Sequence, residues 1–276
     1  MGFQIIFLKL RMHAGNFMRD REQKGDRSVK AYTVLSTRPA EKFIPDIGRY
    51  HFNLINIPLT KLMRRNMDAF RIDKIKKFDP DVIILTSSYG SEIFLHNLWG
   101  NINHRDRMFI AIGASTAEPL IKEGIKTCIP ENKSTEGIIE FLKKKIPREL
   151  RIMILRSNKG NHALNEFLKT DNREFTEFVL YDILENMENR EELLKCLKTL
   201  EVKAILLTSS MEASIFFKIL REDNFKIQNQ TLIYAIGEPT KKTIINSGYT
   251  GNILTGNSSF KKILDDMEQN NSGEWI

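Results

Sequence analysis

The chain has 276 residues, 41% of them hydrophobic and 28% charged, which is ordinary for a soluble globular protein and long enough for two domains with separate cores. No run of about 18 apolar residues occurs, so no membrane span is predicted. The formal net charge is +7, but residues 1–30 carry +4 of it, and the remaining weakly basic body lacks a basic stripe interleaved with aromatics. That pattern argues against nucleic acid as a partner and suits a small polyanion.

In chain order, Phe3–Leu8 is apolar, but Lys9 and Arg11 interrupt it and no small-residue cleavage site follows, so no signal peptide is read there. Position 6 is Ile, which breaks the myristoylation pattern after Gly2. Tyr32–Arg38 reads as a strand ending in Thr37 and Arg38. Val82–Leu85 and Ala204–Leu207 are four-residue apolar runs, too short for helices and suited to buried parallel strands. Each leads into Thr-Ser-Ser, residues 86–88 and 208–210, where hydroxyls make good helix N-caps. Apolar residues at helical spacing follow in both places: Ile93, Phe94 and Leu98, then Ile215, Phe216, Ile219 and Leu220. Glu118–Lys122 and Lys241–Asn246 are predicted helices, stopped by Gly124 and Gly248. Lys143-Lys144-Lys145 closes a further helical pattern, where cations favour the C-terminal dipole.

The chain repeats itself. Asp81–Phe94 matches Lys203–Phe216, Phe109–Thr116 matches Ile233–Thr240, and more faintly Tyr32–Arg38 matches Ile152–Arg156. The offsets of 122, 124 and 118 residues are nearly constant, which identifies an internal duplication. Alternating strands and capped helices imply an α/β fold with parallel sheets flanked by helices. Ligands in such folds sit beyond the carboxyl ends of the strands. Those ends carry Thr37-Arg38, Thr86-Ser87-Ser88, Gly113–Thr116, Arg156–Gly160, Thr208-Ser209-Ser210 and Gly237–Thr240. Hydroxyls, cations and helix amides in both halves suit carboxylates or phosphates, although each Ser or Thr taken singly serves equally as a cap.

Cys128 and Cys196 have no C-x-x-C partner and read as small apolar filler, consistent with a reducing cytoplasmic compartment. His13, His51, His96, His104 and His162 share no metal-ligand spacing, so surface or structural duty is expected of each. Asp79, Asp81, Glu92 and Glu118 form no evident acid/base pair. Neither G-x-x-x-x-G-K-[ST] nor G-x-G-x-x-G is present, which disfavours nucleotide hydrolysis and dinucleotide chemistry.

Thr-Ser at 86–87 and 208–209, Ile-Gly-x-x-Thr at 112–116 and 236–240, and Leu-Arg-x-x-x-Gly at 155–160 together resemble the uroporphyrinogen-III synthase family over roughly residues 31–270. The resemblance implies two similar α/β lobes, each a parallel sheet wrapped by helices, joined by a two-stranded connector. It places lobe one at 31–57 and 185–276, lobe two at 63–179, and connectors at 58–62 and 180–184. Residues 1–30 have no counterpart and form an extension, either disordered or preceding a start at Met18. The implied activity is that of a lyase of porphyrin and heme biosynthesis: hydroxymethylbilane loses water and closes to uroporphyrinogen III, with ring D inverted through a spiro intermediate. No metal or organic cofactor is implied, and a monomer is expected. Tyr181 matches the tyrosine proposed to assist hydroxyl departure. Thr240 matches a threonine lining the cleft, with Thr116 its repeat partner. Thr86, Ser87, Ser88, Thr208, Ser209, Ser210, Thr37, Arg38 and Arg156 are expected to hold substrate, with main-chain donors rather than ion pairs meeting most carboxylates. The sequence departs from the family at Glu238-Pro239, where threonine is common, and at Ser88 and Ser210, where Pro or a small residue often stands. Two alternatives stay open: a non-catalytic two-lobe module binding a small polyanion or tetrapyrrole, and a glycosyl or phosphoryl transferase, for which no cleft carboxylate is evident.

Overall fold

The computed structural model describes residues 32–43, 50–102, 106–228, 230–256 and 259–269. The N-terminal extension, with His13, and His104 lie outside them. Eleven strands among the described residues form two sheets. One has the order β11-β10-β9-β1-β2, built from β1 (Thr33–Ser36), β2 (Asn53–Asn56), β9 (Val202–Leu207), β10 (Leu232–Ala235) and β11 (Ile253–Thr255), all parallel. The other has the order β3-β8-β7-β4-β5-β6, from β3 (Thr60–Arg64), β4 (Val82–Leu85), β5 (Met108–Ala111), β6 (Thr127–Cys128), β7 (Ile152–Ser157) and β8 (Phe175–Glu185). Only the β3–β8 pair is antiparallel there. The first sheet with its helices is lobe one and the second is lobe two.

Both faces of each sheet are covered, which is why the strands read as unbroken apolar runs. Alternate residues go to opposite faces. Ile83 and Leu85 of β4 pack in one cluster with Ile75 of α1 (Ala69–Phe78), Ile93 and Phe94 of α2 (Ser88–Asn97) and Leu120 of α3 (Ala114–Lys122). Val82 and Ile84 instead meet Ile138 and Leu142 of α4 (Thr135–Lys145) and Leu164 and Leu168 of α5 (Ala163–Thr170). Lobe one repeats the division. Ile205 and Leu207 of β9 pack with α6 (Arg190–Thr199) and with Phe216 of α7 (Ser210–Glu222), whereas Ala204 and Leu206 face Ile263, Leu264 and Met267 of α9 (Phe260–Gln269). Truncating a fully buried leucine such as Leu85 to alanine costs about 2–5 kcal/mol in settings of this kind.

The helices after the Ile-Gly runs start earlier than the sequence suggested, at Ala114 and, for α8 (Glu238–Asn246), at Glu238. Gly113 and Gly237 are extended, so Ala-Ser-Thr and Glu-Pro-Thr already form the first turns, and Pro239 occupies a position where no amide is needed. Gly124 and Gly248 follow the helix ends with φ of +76° and +88°, a left-handed conformation that favours glycine.

The strand β8 links the lobes. Its first part pairs in parallel with β7, and its continuation runs antiparallel to β3 with Thr60 opposite Glu185 and Arg64 opposite Tyr181. The Asn186 and Asn189 side chains both donate to the Pro58 carbonyl, and Arg65 pairs bidentately with Asp182 at 2.9 and 2.7 Å, fixing the two chain crossings together.

Candidate active site at the strand ends

In lobe two, Ser87 caps α2 by accepting from the Gly90 amide at 3.0 Å. The Tyr181 hydroxyl donates to the same Ser87 oxygen at 2.9 Å. A register shift, in which β8 carries Leu180 as an extra residue opposite Arg156 and Ser157 of β7, sets Ser157 opposite Tyr181 and brings a third hydroxyl to this point. The Tyr181 ring is only 2% exposed and meets Tyr89 edge-on at 4.9 Å between centroids; Arg64 donates to the Tyr89 hydroxyl at 3.2 Å. Burial raises the Tyr181 pKa and the Tyr89 phenol adds to this, against the hydrogen bonds with Ser87 and Ser157. Tyr181 is therefore a protonated donor at neutral pH.

A cavity of about 200 Å³ opens here, lined by Thr86, Ser87, Arg156, Ser157, Gly160 and Tyr181 among others. Arg156, 3% exposed, is held by Glu177 at 2.7 Å and by the Asn161 carbonyl, while its buried Nε has no hydrogen-bond partner. A Cβ on Gly160 would lie 2.4 Å from the Arg156 Cδ, so glycine lets the loop close over this side chain. Lys159 also lines the cavity.

The equivalent point in lobe one is built differently. Ser209 caps α7 through the Glu212 amide at 3.1 Å, and the Glu212 carboxyl, 1% exposed, folds back onto the cap. It accepts from the Thr37 hydroxyl at 2.9 Å, the Thr208 amide at 2.9 Å, the Thr208 hydroxyl at 2.9 Å and the Ser209 hydroxyl at 3.1 Å. Burial pushes the Glu212 pKa up and these donors oppose it.

The sequence-predicted residues thus fall into groups. Thr86, Ser87, Arg156 and Tyr181 come together at the lobe-two cavity. Thr37, Thr208 and Ser209 come together around Glu212, with Arg38 half-buried beside them. Ser88 and Ser210 are the first residues of α2 and α7, half-buried. Thr116 and Thr240 are buried in the first turns of α3 and α8, outside the cavity lining; the Thr116 carbonyl accepts from Ser91 at 2.7 Å, locking α3 to α2. Glu238 is exposed and lies 4.0 Å from Lys241. Sequence reasoning missed Glu212 and Tyr89. The signal for Glu212 was in the repeat itself, since an offset of 122 sets it against Gly90.

One sheet assembled from two separate stretches of chain, a second from one continuous stretch, and a cavity at the strand ends of the second define a class of two-lobed α/β protein. A crystal structure of a mutant uroporphyrinogen III synthase from the extremely thermophilic bacterium Thermus thermophilus shares this fold, with a TM-score of 0.60 at 16% identity, covering 88% of this chain and 100% of that one. The uroporphyrinogen-III synthetase of Helicobacter pylori 26695 is similar at a TM-score of 0.56 and 15% identity, over 86% of this chain and 98% of that one. The family model for uroporphyrinogen-III synthase HemD matches residues 41–261, and the chain belongs to that family. A protein of Archaeoglobus fulgidus that carries the provisional name of a uroporphyrinogen-III synthase is 27% identical over 225 residues, 80% of this chain and 91% of that protein.

Proposed function

We propose that this chain cyclises hydroxymethylbilane to uroporphyrinogen III, inverting ring D through a spiro intermediate with loss of water, and so acts as a hydro-lyase without a metal or organic cofactor. The observation that carries this reading is the Tyr181 hydroxyl, hydrogen-bonded to Ser87 at 2.9 Å on the wall of the lobe-two cavity. The phenol, held protonated by burial, turns its proton from Ser87 to the departing hydroxyl, which leaves as water; the phenolate recovers a proton from the ring-D carbon that loses one when the closed ring re-aromatises. The azafulvene carbon so formed is attacked by the substituted carbon of ring D; the spiro intermediate then fragments and recloses with that ring inverted.

Most of the catalysis is positional, because the substrate is a flexible octacarboxylate that closes without inversion when left in water. A cavity of about 200 Å³ has room for part of a tetrapyrrole, so the rest of the substrate extends toward lobe one. Thr86, Ser87 and Arg156 hold its carboxylates at the cavity, and Thr37, Arg38, Ser88, Ser210, Thr116 and Thr240 belong to the wider rim. The same proposal divides the chain at 58–62 and 180–184, with 31–57 and 185–276 in lobe one and 63–179 in lobe two. It further makes the protein a cytoplasmic monomer; no helix among the described residues is long and apolar enough to cross a membrane.

The test is the ratio of type III to type I isomers formed from fresh hydroxymethylbilane, measured by chromatography of the oxidised products with and without protein. A strong excess of type III is expected. Type I alone, at the uncatalysed rate with folded protein, overturns the reading and leaves the tetrapyrrole-binding module as the better account.

A further inference from the structure

Arg38 follows the carboxyl end of β1, and Lys42 ends the single 3-10 turn Ala40–Lys42 just beyond it. Both side chains are half-buried, and among the described residues neither side chain makes a hydrogen bond or an ion pair. The Arg38 guanidinium lies over the Phe260 ring at 4.7 Å, and its Nε is sealed from solvent without a partner. Two cations in such surroundings are costly unless an anion answers them.

The acids that face Lys42 are Glu212, Glu92 and Glu41, and each is placed so that it does not pair with it. Both Glu212 oxygens are taken by Thr37, Thr208 and Ser209. The Glu41 carboxylate accepts from the Leu62 amide of β3 at 3.3 Å, and Glu92 is exposed on α2 of the other lobe. Arg38 and Lys42 therefore sit near negative charge yet keep their N–H donors free.

We propose that Arg38 and Lys42 form a carboxylate subsite on the lobe-one rim, kept open because Glu212 is committed to the hydroxyls behind it. The inference deepens the synthase reading and rests on it for the identity of the ligand, a carboxylate arm of a tetrapyrrole. It adds an ion-pairing contact where the family resemblance implied mainly main-chain donors. Burial lowers the Lys42 pKa, with the Arg38 charge adding to it, while Glu212, Glu92 and Glu41 oppose. Affinity at this subsite thus falls as pH rises through that lowered value.

Binding of uroporphyrin III, a stable octacarboxylate tetrapyrrole, measured by calorimetry across pH and salt, tests this. Lys42→Met is expected to weaken binding on the order of tenfold, to flatten the salt dependence, and to remove the alkaline fall in affinity. Thermal stability should hold or rise, since a repelling buried cation is gone. Lys195→Met, an exposed charge change on α6, serves as the control that leaves binding unchanged. Arg38→Lys, which keeps the charge, should retain most of the affinity. Unchanged affinity and pH profile in Lys42→Met, with a wild-type excess of type III isomer, overturns the subsite alone. Loss of binding through Lys42 without any type III excess from the wild type keeps the subsite and removes the synthase reading.

Discussion

The Thr-Ser turns after β4 and β9 share sequence, strand-to-helix geometry and a serine cap, yet they end as opposite surfaces. In lobe two, position 90 is glycine, and the space beside the cap is taken by Tyr181 arriving from β8. In lobe one, the equivalent position is Glu212, whose own carboxyl fills that space and takes up the surrounding hydroxyl protons. One copy of the duplicated turn therefore borders a cavity with a buried phenol on its wall, and the other is a closed, self-satisfied cap. Glycine or glutamate at this position, together with the side chain that reaches the cap from a neighbouring strand, separates an open cavity from a closed cap.

The sharpest way to break this comparison is to carry lobe one's residue into lobe two. A Cβ at Gly90 would lie 2.9 Å from the Ser87 oxygen and 3.9 Å from the Tyr181 ring. Gly90→Glu is expected to reduce type III formation on the order of 10³-fold, and to cost about 1–3 kcal/mol by overpacking; isomer analysis and urea titration measure the two. Next in size, Tyr181→Phe should lower kcat on the order of 10²-fold with loss of about 1 kcal/mol in stability, because one hydrogen bond goes and the ring stays. A variant with unchanged kcat would remove Tyr181 from the chemistry.

Glu212→Ala probes the other copy. It leaves the Thr208 and Ser209 hydroxyls without their acceptor, and Thr37 with only the Leu206 carbonyl, and should destabilise by about 2 kcal/mol, with a smaller effect on kcat than Tyr181→Phe. The pH dependence has a defined sign. A carboxyl whose pKa is higher folded than unfolded binds its proton more tightly in the native state, so its contribution is greatest in acid and declines as pH rises through the folded value. The stability difference between wild type and Glu212→Gln, followed by urea titration from about pH 4 upward, should show that decline. The smallest expected effect is kinetic: because burial raises the Tyr181 pKa, kcat should stay level up to about pH 10. KM should rise in alkali as the Lys42 charge is lost.

Much of the fold was legible in the sequence. Val82–Leu85 and Ala204–Leu207 declared themselves as doubly covered strands, because a strand buried on both faces has no polar positions. The serine caps and the glycine stops were readable for the same local reason: a cap acts on amides within its own turn, and Gly124 and Gly248 answer a local need for positive φ. The early starts of α3 and α8 were not legible, since Gly113 and Gly237 act there through an extended backbone rather than a side-chain cap.

The site divides along the same line. The sequence by itself determined the duplication, the parallel α/β lobes and the hydroxyl-rich strand ends, all of which depend on periodicity and on contacts between near neighbours. Only the tertiary structure decided that Tyr181 reaches Ser87, 94 residues away, that Glu212 gathers Thr37 from 175 residues away, and that among the described residues the Arg38 and Lys42 side chains make no hydrogen bond or ion pair. Such contacts depend on where β8 and β1 enter their sheets, and sheet order is set by the packing of whole faces, which no local stretch of sequence encodes.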